Sequence, residues 1–361
     1  IPRRKLRAGS IPAPGTIRIG VAAKLRSAIF GEPGEINIIE SPEPVLKDGW
    51  VVVSVGSVGI CGTDLHMLHG RMGAKRGLRP GHELSGIVQS KCANTEFKLG
   101  DKVAIEPSHA CGNCDYCKSG LPNHCEQLAI FGVTRDGGLS ELIVVPEKSL
   151  YQVDQSLSFE TIALCEPLAV CLRGTRLAEV KPGSKVVILG GGAIGLMSII
   201  TAQHYGANEI HVIAKYPHQR ELAASLGATR VYENAELAVN QLGSRYIDNA
   251  IETVGGNART LNDSIRLTKP GGTVAILGAF SGETPISAFL LMVKELRLVG
   301  SSCYAHEEPQ GDFALASSLL PTYQQSISKL VTHRFPLTSA KEAFNTAYDK
   351  SQKSIKVQIQ P

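Results

Sequence analysis

The chain has 361 residues, 43% of them hydrophobic and 19% charged, enough for two domains or three, each with a real core. No apolar run reaches the roughly 18 residues that a membrane span needs. The net charge is +4, but seven basic residues (Arg3, Arg4, Lys5, Arg7, Arg18, Lys24 and Arg26) precede the first carboxylate, Glu32. The remainder carries 30 basic against 33 acidic residues, a body of about −3 that speaks against nucleic acid as a partner.

Residues 1–24 are rich in Pro, Gly and Arg and show no period; they read as a basic arm, expected to lie against a neighbouring subunit. From Leu25 the pattern is of short strands. Residues 37–40, 50–55 and 86–88 are β-branched, and 99–105 and 137–145 read as turns feeding strands. The first 150 residues are therefore mostly β. Between 159 and 180 the apolar spacing lengthens to that of a connecting helix. After Lys181-Pro182-Gly183 strands alternate with helical stretches, as βαβ units do, up to a last strand at 297–300. The C-terminal piece is helical and ends in a strand at 354–359 that returns to the first domain. The division this implies is an arm, 1–24, a first domain of 25–170 plus 314–361, and an inserted domain of 171–313.

Three motifs carry chemistry. Cys61, in Cys61-Gly62-Thr63-Asp64-Leu65-His66, and His82-Glu83 offer a thiol, an imidazole and a carboxylate near one another, a mixed donor set that zinc accepts with a position left open. Cys111, Cys114, Cys117 and Cys125 form C-x2-C-x2-C-x7-C, and four thiolates on a turn-rich loop close a tetrahedron around a structural zinc. Nine cysteines in all, five of them in metal-like patterns, fit a reducing, cytoplasmic setting better than disulfides. Cys92, Cys171 and Cys303 read as small buried hydrophobes.

The third motif is Gly190-Gly191-Gly192-Ala193-Ile194-Gly195. It follows a buried-type strand and opens a helix over 193–204, the context in which G-x-G-x-x-G cradles a dinucleotide pyrophosphate. About 20 residues on, where a carboxylate would hold an NAD ribose, stands Lys215, with Arg220 nearby. This favours NADP(H), with NAD(H) the alternative. Leu277 and Gly278, at the end of a later strand, are expected beside the nicotinamide.

Taken together and in this order, the motifs resemble those of the zinc-containing medium-chain dehydrogenase/reductase family, over everything from Leu25 onward. The resemblance implies an α/β protein: a GroES-like β-rich catalytic domain plus a Rossmann domain with a doubly wound parallel sheet. It implies Cys61 and His82 as catalytic-zinc ligands and Glu83 as a ligand in the sorbitol- and threonine-dehydrogenase-like branches. Glu166, in Cys165-Glu166-Pro167, matches the glutamate those branches use on or near the metal, where liver-type alcohol dehydrogenases have a cysteine. Cys165 stands one position off. Thr63 and His66 resemble the family's proton relay, and His69 is a weaker candidate.

The implied function is hydride transfer between a nicotinamide and a polyol, sugar-like or other secondary alcohol or ketone, in a homodimer or homotetramer. The competing readings are a threonine-dehydrogenase-like enzyme, a biosynthetic reductase of an aminosugar or inositol-like ketone, and a zinc-free quinone or enoyl reductase. The last has no use for Cys61, His82 or the four-cysteine loop.

Overall fold

The structure is a computed structural model that describes residues 24–91, 95–306 and 310–361; the basic arm, Lys24 excepted, and Cys92 lie outside them. The strand Trp50–Gly59 organises the first sheet. Its valines are buried on both faces, the environment that β-branched side chains suit best. It pairs antiparallel with Glu83–Lys91, with Leu142–Pro146 and with the C-terminal strand Lys356–Gln360. That last pairing ties the chain's end to its beginning, as expected. The sheet has seven strands and continues through Lys102–Ile105 and Leu150–Gln152 on one side and Val331–Pro336 on the other. Val53, Val58, Leu84, Ile105 and Phe344 lie in its core.

The second sheet is six-stranded and parallel. Across it run Arg230–Tyr232, Glu209–Ile213, Lys185–Leu189, Ile247–Glu252, Thr268–Ile276 and Arg297–Gly300. The strand order reverses between Lys185–Leu189 and Ile247–Glu252, the crevice in which such sheets bind dinucleotides. The two sheets are joined through a core built on the helices Cys165–Leu177, Ala193–His204 and Asp312–Ile327, with Leu168, Leu172, Ile199, Phe313 and Leu320 buried.

One element differs from expectation. The single connecting helix is two, Phe159–Ile162 and Cys165–Leu177. Pro167 has no N–H and is tolerated only in a first turn. A helix that includes it must therefore restart at Cys165, and Glu166 is carried at that restart.

Candidate active site

Strand register assembles the first motif. Gly59 pairs with Glu83 on one side and with Gln358 on the other, so the chain entering Cys61 and the chain leaving His82 are sheet neighbours. A Cβ on Gly59 would stand 2.1 Å from a Glu83 carboxylate oxygen; the missing side chain makes room for that carboxylate. The ligand atoms of Cys61, His82 and Glu83 all lie within 4.8 Å of one another.

Cys61 caps the helix Gly62–Leu68, whose third residue, Asp64, accepts the Cys61 N–H at 2.9 Å. The other Asp64 oxygen faces His82 Nδ1 at 3.5 Å. Burial alone would lower the His82 pKa; the charges of Asp64 and Cys61 outweigh it and hold it well above the ordinary value. A carboxylate behind one ring nitrogen leaves the other to ligate, the arrangement found behind metal-bound histidines. The donor set fits zinc.

Glu83 is also half of a buried ion pair. Lys356 Nζ lies 2.6 Å from both of its oxygens, and neither side chain is more than 4% exposed. Glu166 is buried and senses His82, Glu83, Lys356 and Asp64; burial first, then Glu83 and Asp64, push its carboxyl up to about 7 against His82 and Lys356. It is not one of the three residues whose donor atoms cluster. Cys165 points the other way, its thiol 3.8 Å from the Phe313 carbonyl in the core. Thr63 Oγ1 lies 3.8 Å from Cys61 Sγ. His66 follows one turn later on the same helix face, its pKa lowered by burial and by Arg71 and His69. The His69 ring packs on Tyr348 at 4.3 Å.

The four remaining motif cysteines come together on the lobe around the helix Asp115–Lys118. Cys114 and Cys117 sulfurs are 3.5 Å apart, and Cys111 and Cys117 sulfurs 3.9 Å. A tetrahedron with metal–sulfur bonds of about 2.3 Å has edges of roughly 3.8 Å, so this set fits zinc too. Backbone N–H groups of Asn113 and Cys114 donate to Cys111 and bring its thiol down to about 6. Those of Cys111 and Gln127 donate to Cys125.

The glycine-rich turn faces the first site across a cleft of about 840 Å³. Gly190 has φ +118°, and a Cβ on Gly195 would stand 2.1 Å from the Gly190 carbonyl oxygen; only glycine permits that turn. Gly192 caps the helix Ala193–His204 with no side-chain partner for its first N–H groups, which leaves them for an anion. Cys61, Glu83, Gly190, Gly191, Gly192, Ala193, Ile194, Lys215, Thr253, Val254, Lys350 and Lys356 line this cleft.

Arg220 does not line it. Its guanidinium donates to the carbonyls of Ala214 and Lys215 at 3.1 and 2.8 Å, holding the backbone that carries Lys215. Leu277 and Gly278 are also set back: the Leu277 side chain packs over Gly174, and Gly278 lies against Glu252 and Gly255. The strand ends that reach the cleft are Leu189, Ile213 and, after Ile247–Glu252, Thr253-Val254.

Sequence reasoning assigned no role to Asp64, Lys356 or Cys303. Asp64 stood inside the quoted motif, three residues after Cys61, the spacing of a helix cap. Lys356 carried no local signal. Cys303, read as a buried hydrophobe, is half-buried and has φ +55°. Burial raises its thiol pKa first, and the charges of Glu166, His82 and Cys61 also reach it.

Three donor residues that fit a metal, two of them lining the cleft of a glycine-rich turn, between a β-rich unit and a parallel doubly wound sheet, are the arrangement of a nicotinamide-dependent oxidoreductase. Residues 47–155 match the model of the alcohol dehydrogenase GroES-like domain, and residues 193–318 that of zinc-binding dehydrogenases. The chain is 31% identical over 353 residues to sorbitol dehydrogenase of Bacillus subtilis, covering 94% of this chain and 98% of that one. It is 32% identical over 343 residues to D-xylulose reductase A of Aspergillus oryzae, covering 90% and 93%. A solved structure described as a zinc-binding dehydrogenase of Sinorhizobium meliloti 1021, bound to NADP, superposes with a TM-score of 0.85 at 30% identity, over 94% of this chain and all of that one. The chain belongs to the zinc-containing medium-chain dehydrogenase/reductase family, in its sorbitol dehydrogenase-like branch. It is an oxidoreductase of the alcohol and polyol dehydrogenase type that uses zinc and a nicotinamide cofactor.

Proposed function

We propose that the chain interconverts a polyol or related secondary alcohol and its ketone with NADP(H) as hydride carrier, at a metal held by Cys61, His82 and Glu83 with Glu166 beside it. The observation that carries this reading is that the donor atoms of Cys61, His82 and Glu83 lie within 4.8 Å of one another, and that Cys61 and Glu83 line the same cleft as the glycine-rich turn. Bound there, zinc supplies a Lewis acid that acidifies an alcohol oxygen by several pKa units.

The chain's own residues do the rest. The turn at Gly190–Gly195 and the helix behind it bind the pyrophosphate. Asp64 orients His82 and keeps its ligating nitrogen turned inward. In the oxidative direction the alcohol carbon gives its hydride to the nicotinamide, and the hydroxyl proton leaves by the Thr63 hydroxyl toward His66 on the same helix. Glu166 adds a second buried carboxyl to the charge around the site.

Lys215 supports NADP(H). It lines the cleft where the second strand of the sheet ends, and Ala214 precedes it, so no carboxylate stands there to repel a 2′-phosphate. The Sinorhizobium structure, bound to NADP, is in keeping with this. The second zinc is assigned to Cys111, Cys114, Cys117 and Cys125 as a structural ion. The domain division supported by the sheets is 25–170 with 314–361, and 171–313, both boundaries falling inside helices. A second copy of the chain is the expected partner. Among the described residues no strand pairs with the outer side of the edge strand Arg297–Gly300, and on the helix that precedes it in the chain Phe289 and Met292 are 69% and 67% exposed. Among the described residues no helix is long and apolar enough to cross a membrane; a reducing cytoplasm is proposed because the eight described cysteines are all free thiols.

The test is a panel of polyols and ketoses assayed with NADP(H) and NAD(H). Turnover of a polyol with a lower KM for NADP+ supports the reading, and indifference to every polyol and ketose refutes it.

A further inference from the structure

We propose that Glu252 is a positioning residue for the nicotinamide cofactor: its buried carboxylate anchors the cleft wall at Val254 and Thr260 and holds Thr253 against the glycine-rich turn. The proposal rests on the reading of this cleft as the cofactor site.

Glu252 ends the strand Ile247–Glu252, is fully buried, and is not among the residues that line the cleft. Its Oε1 takes three donors at once: the Val254 N–H at 2.8 Å, the Gly255 N–H at 3.1 Å and the Thr260 hydroxyl at 2.7 Å. Val254 and Thr260 do line the cleft, one just past the strand end and the other at the start of the helix Thr260–Leu267. One acceptor behind the wall therefore joins two pieces of it. The next strand makes room for that acceptor. A Cβ on Gly278 would stand 2.4 Å from Glu252 Oε2, and the Leu277 and Gly278 N–H groups donate to the Glu252 backbone carbonyl at 2.8 and 3.1 Å. Between the anchored positions, Thr253 meets the glycine-rich turn. Its N–H and its hydroxyl donate to the Leu189 carbonyl at 2.9 and 2.8 Å, and Cβ atoms on Gly190 and Gly195 would stand 2.4 and 2.8 Å from its Oγ1. A shift of the carboxylate is thus passed through Thr253 to the turn that faces the pyrophosphate, and rigid support of this kind is what a binding site needs behind the groups that touch its ligand.

Two substitutions separate placement from charge. Glu252→Gln keeps an acceptor oxygen in the place of Oε1 and puts its amide nitrogen where Oε2 has no hydrogen-bond partner among the described residues. Glu252→Asp draws the acceptor back by one methylene. Fluorescence titration is expected to show NADPH and NADH binding about 5- to 10-fold more weakly to Glu252→Asp, with the ratio of the two Kd values unchanged, because the 2′-phosphate end is untouched. Polyol oxidation at saturating NADP+ is expected to slow about tenfold or more, since a misplacement of about 1 Å at the reacting groups can cost about 10²-fold. Glu252→Gln is expected to stay within about twofold of the parent in every one of these measurements. Gly278→Ala crowds the carboxylate from the far side and is expected to behave like Glu252→Asp; it serves if the latter folds poorly. Parent-like cofactor binding in Glu252→Asp and Gly278→Ala overturns the proposal even where the melting temperature falls, since that marks a residue that only holds the fold. Glu252→Gln as impaired as Glu252→Asp overturns it too, because charge and not placement then matters. The titrations need no alcohol, so they separate failure of this inference from failure of the polyol reading; a parent that binds neither NADPH nor NADH overturns the cofactor reading and this inference with it.

Discussion

Lys356 Nζ donates to both carboxylate oxygens of Glu83, each at 2.6 Å, across 273 residues of sequence. The pair links the chain's last strand to the strand that begins at a proposed metal ligand, across the end of Trp50–Gly59, which lies between them in the sheet. Removing one partner of a buried pair leaves the other's charge uncompensated, at a cost of about 3–5 kcal/mol. Lys356→Met is therefore expected to lower the unfolding free energy of chelator-treated protein by about that amount. Lys356→Met with Glu83→Gln is expected to recover most of it. Urea unfolding of the four proteins of the cycle measures this; a single variant as stable as the parent contradicts it.

Asp64 touches the site only through Cys61 and His82. Asp64→Asn keeps its shape while weakening the partner behind the imidazole, and outer-shell changes of this kind cost about 10–100-fold in metal affinity. Competition with a chromophoric chelator should show that loss at one of the two zinc sites, with the circular dichroism spectrum unchanged.

Lys215→Asp places a carboxylate where the second strand of the sheet ends. It repels a 2′-phosphate and suits a free ribose. The ratio of kcat/KM with NADP+ to that with NAD+ should fall at least about tenfold, roughly 1.4 kcal/mol. An unchanged ratio shows that the phosphate contact lies elsewhere.

His211 is 2% exposed, between Glu209 and Tyr232. Burial lowers its pKa, although Glu209 pulls the other way. Below about pH 6.5 the unfolded chain takes up a proton that the folded chain refuses. Stability therefore falls as the pH drops through the unfolded value, and levels off once the folded value is passed, with a slope of at most about 1.4 kcal/mol per pH unit from this residue. Urea unfolding between pH 5 and 8 should show a flatter acid limb in His211→Asn than in the parent.

Much of the fold is legible in the sequence because it rests on local patterns. The helix Ala193–His204 and the strand Arg297–Gly300 stand where the apolar periods place them, and the returning C-terminal strand is one to two residues off. The cysteines of the lobe are close in sequence, so spacing alone brings them together. Lys356 could not be read this way, since its partner lies on a distant strand and only the register reveals it. Cys303 was misjudged for a related reason. Composition makes a lone cysteine a core residue, whereas this one stands half-buried on the loop that follows the last strand of the parallel sheet. The ends of both later strands are expected beside the nicotinamide; Thr253 and Val254, after the first of them, line the cleft, whereas Leu277 and Gly278, after the second, are not among its lining residues, because the pattern shows where a strand ends but not how far its end reaches.

The central claim is that turnover depends on a metal ion at Cys61 and His82, separate from the one at the four-cysteine lobe. Elemental analysis of the purified chain and of Cys61→Ser, alongside polyol oxidation and NADPH binding, tests it most directly. The account predicts two zinc ions per chain in the parent, and one in Cys61→Ser, which binds NADPH with near-normal affinity and turns over no alcohol. Full turnover by a Cys61→Ser chain with only the lobe ion retained would contradict it.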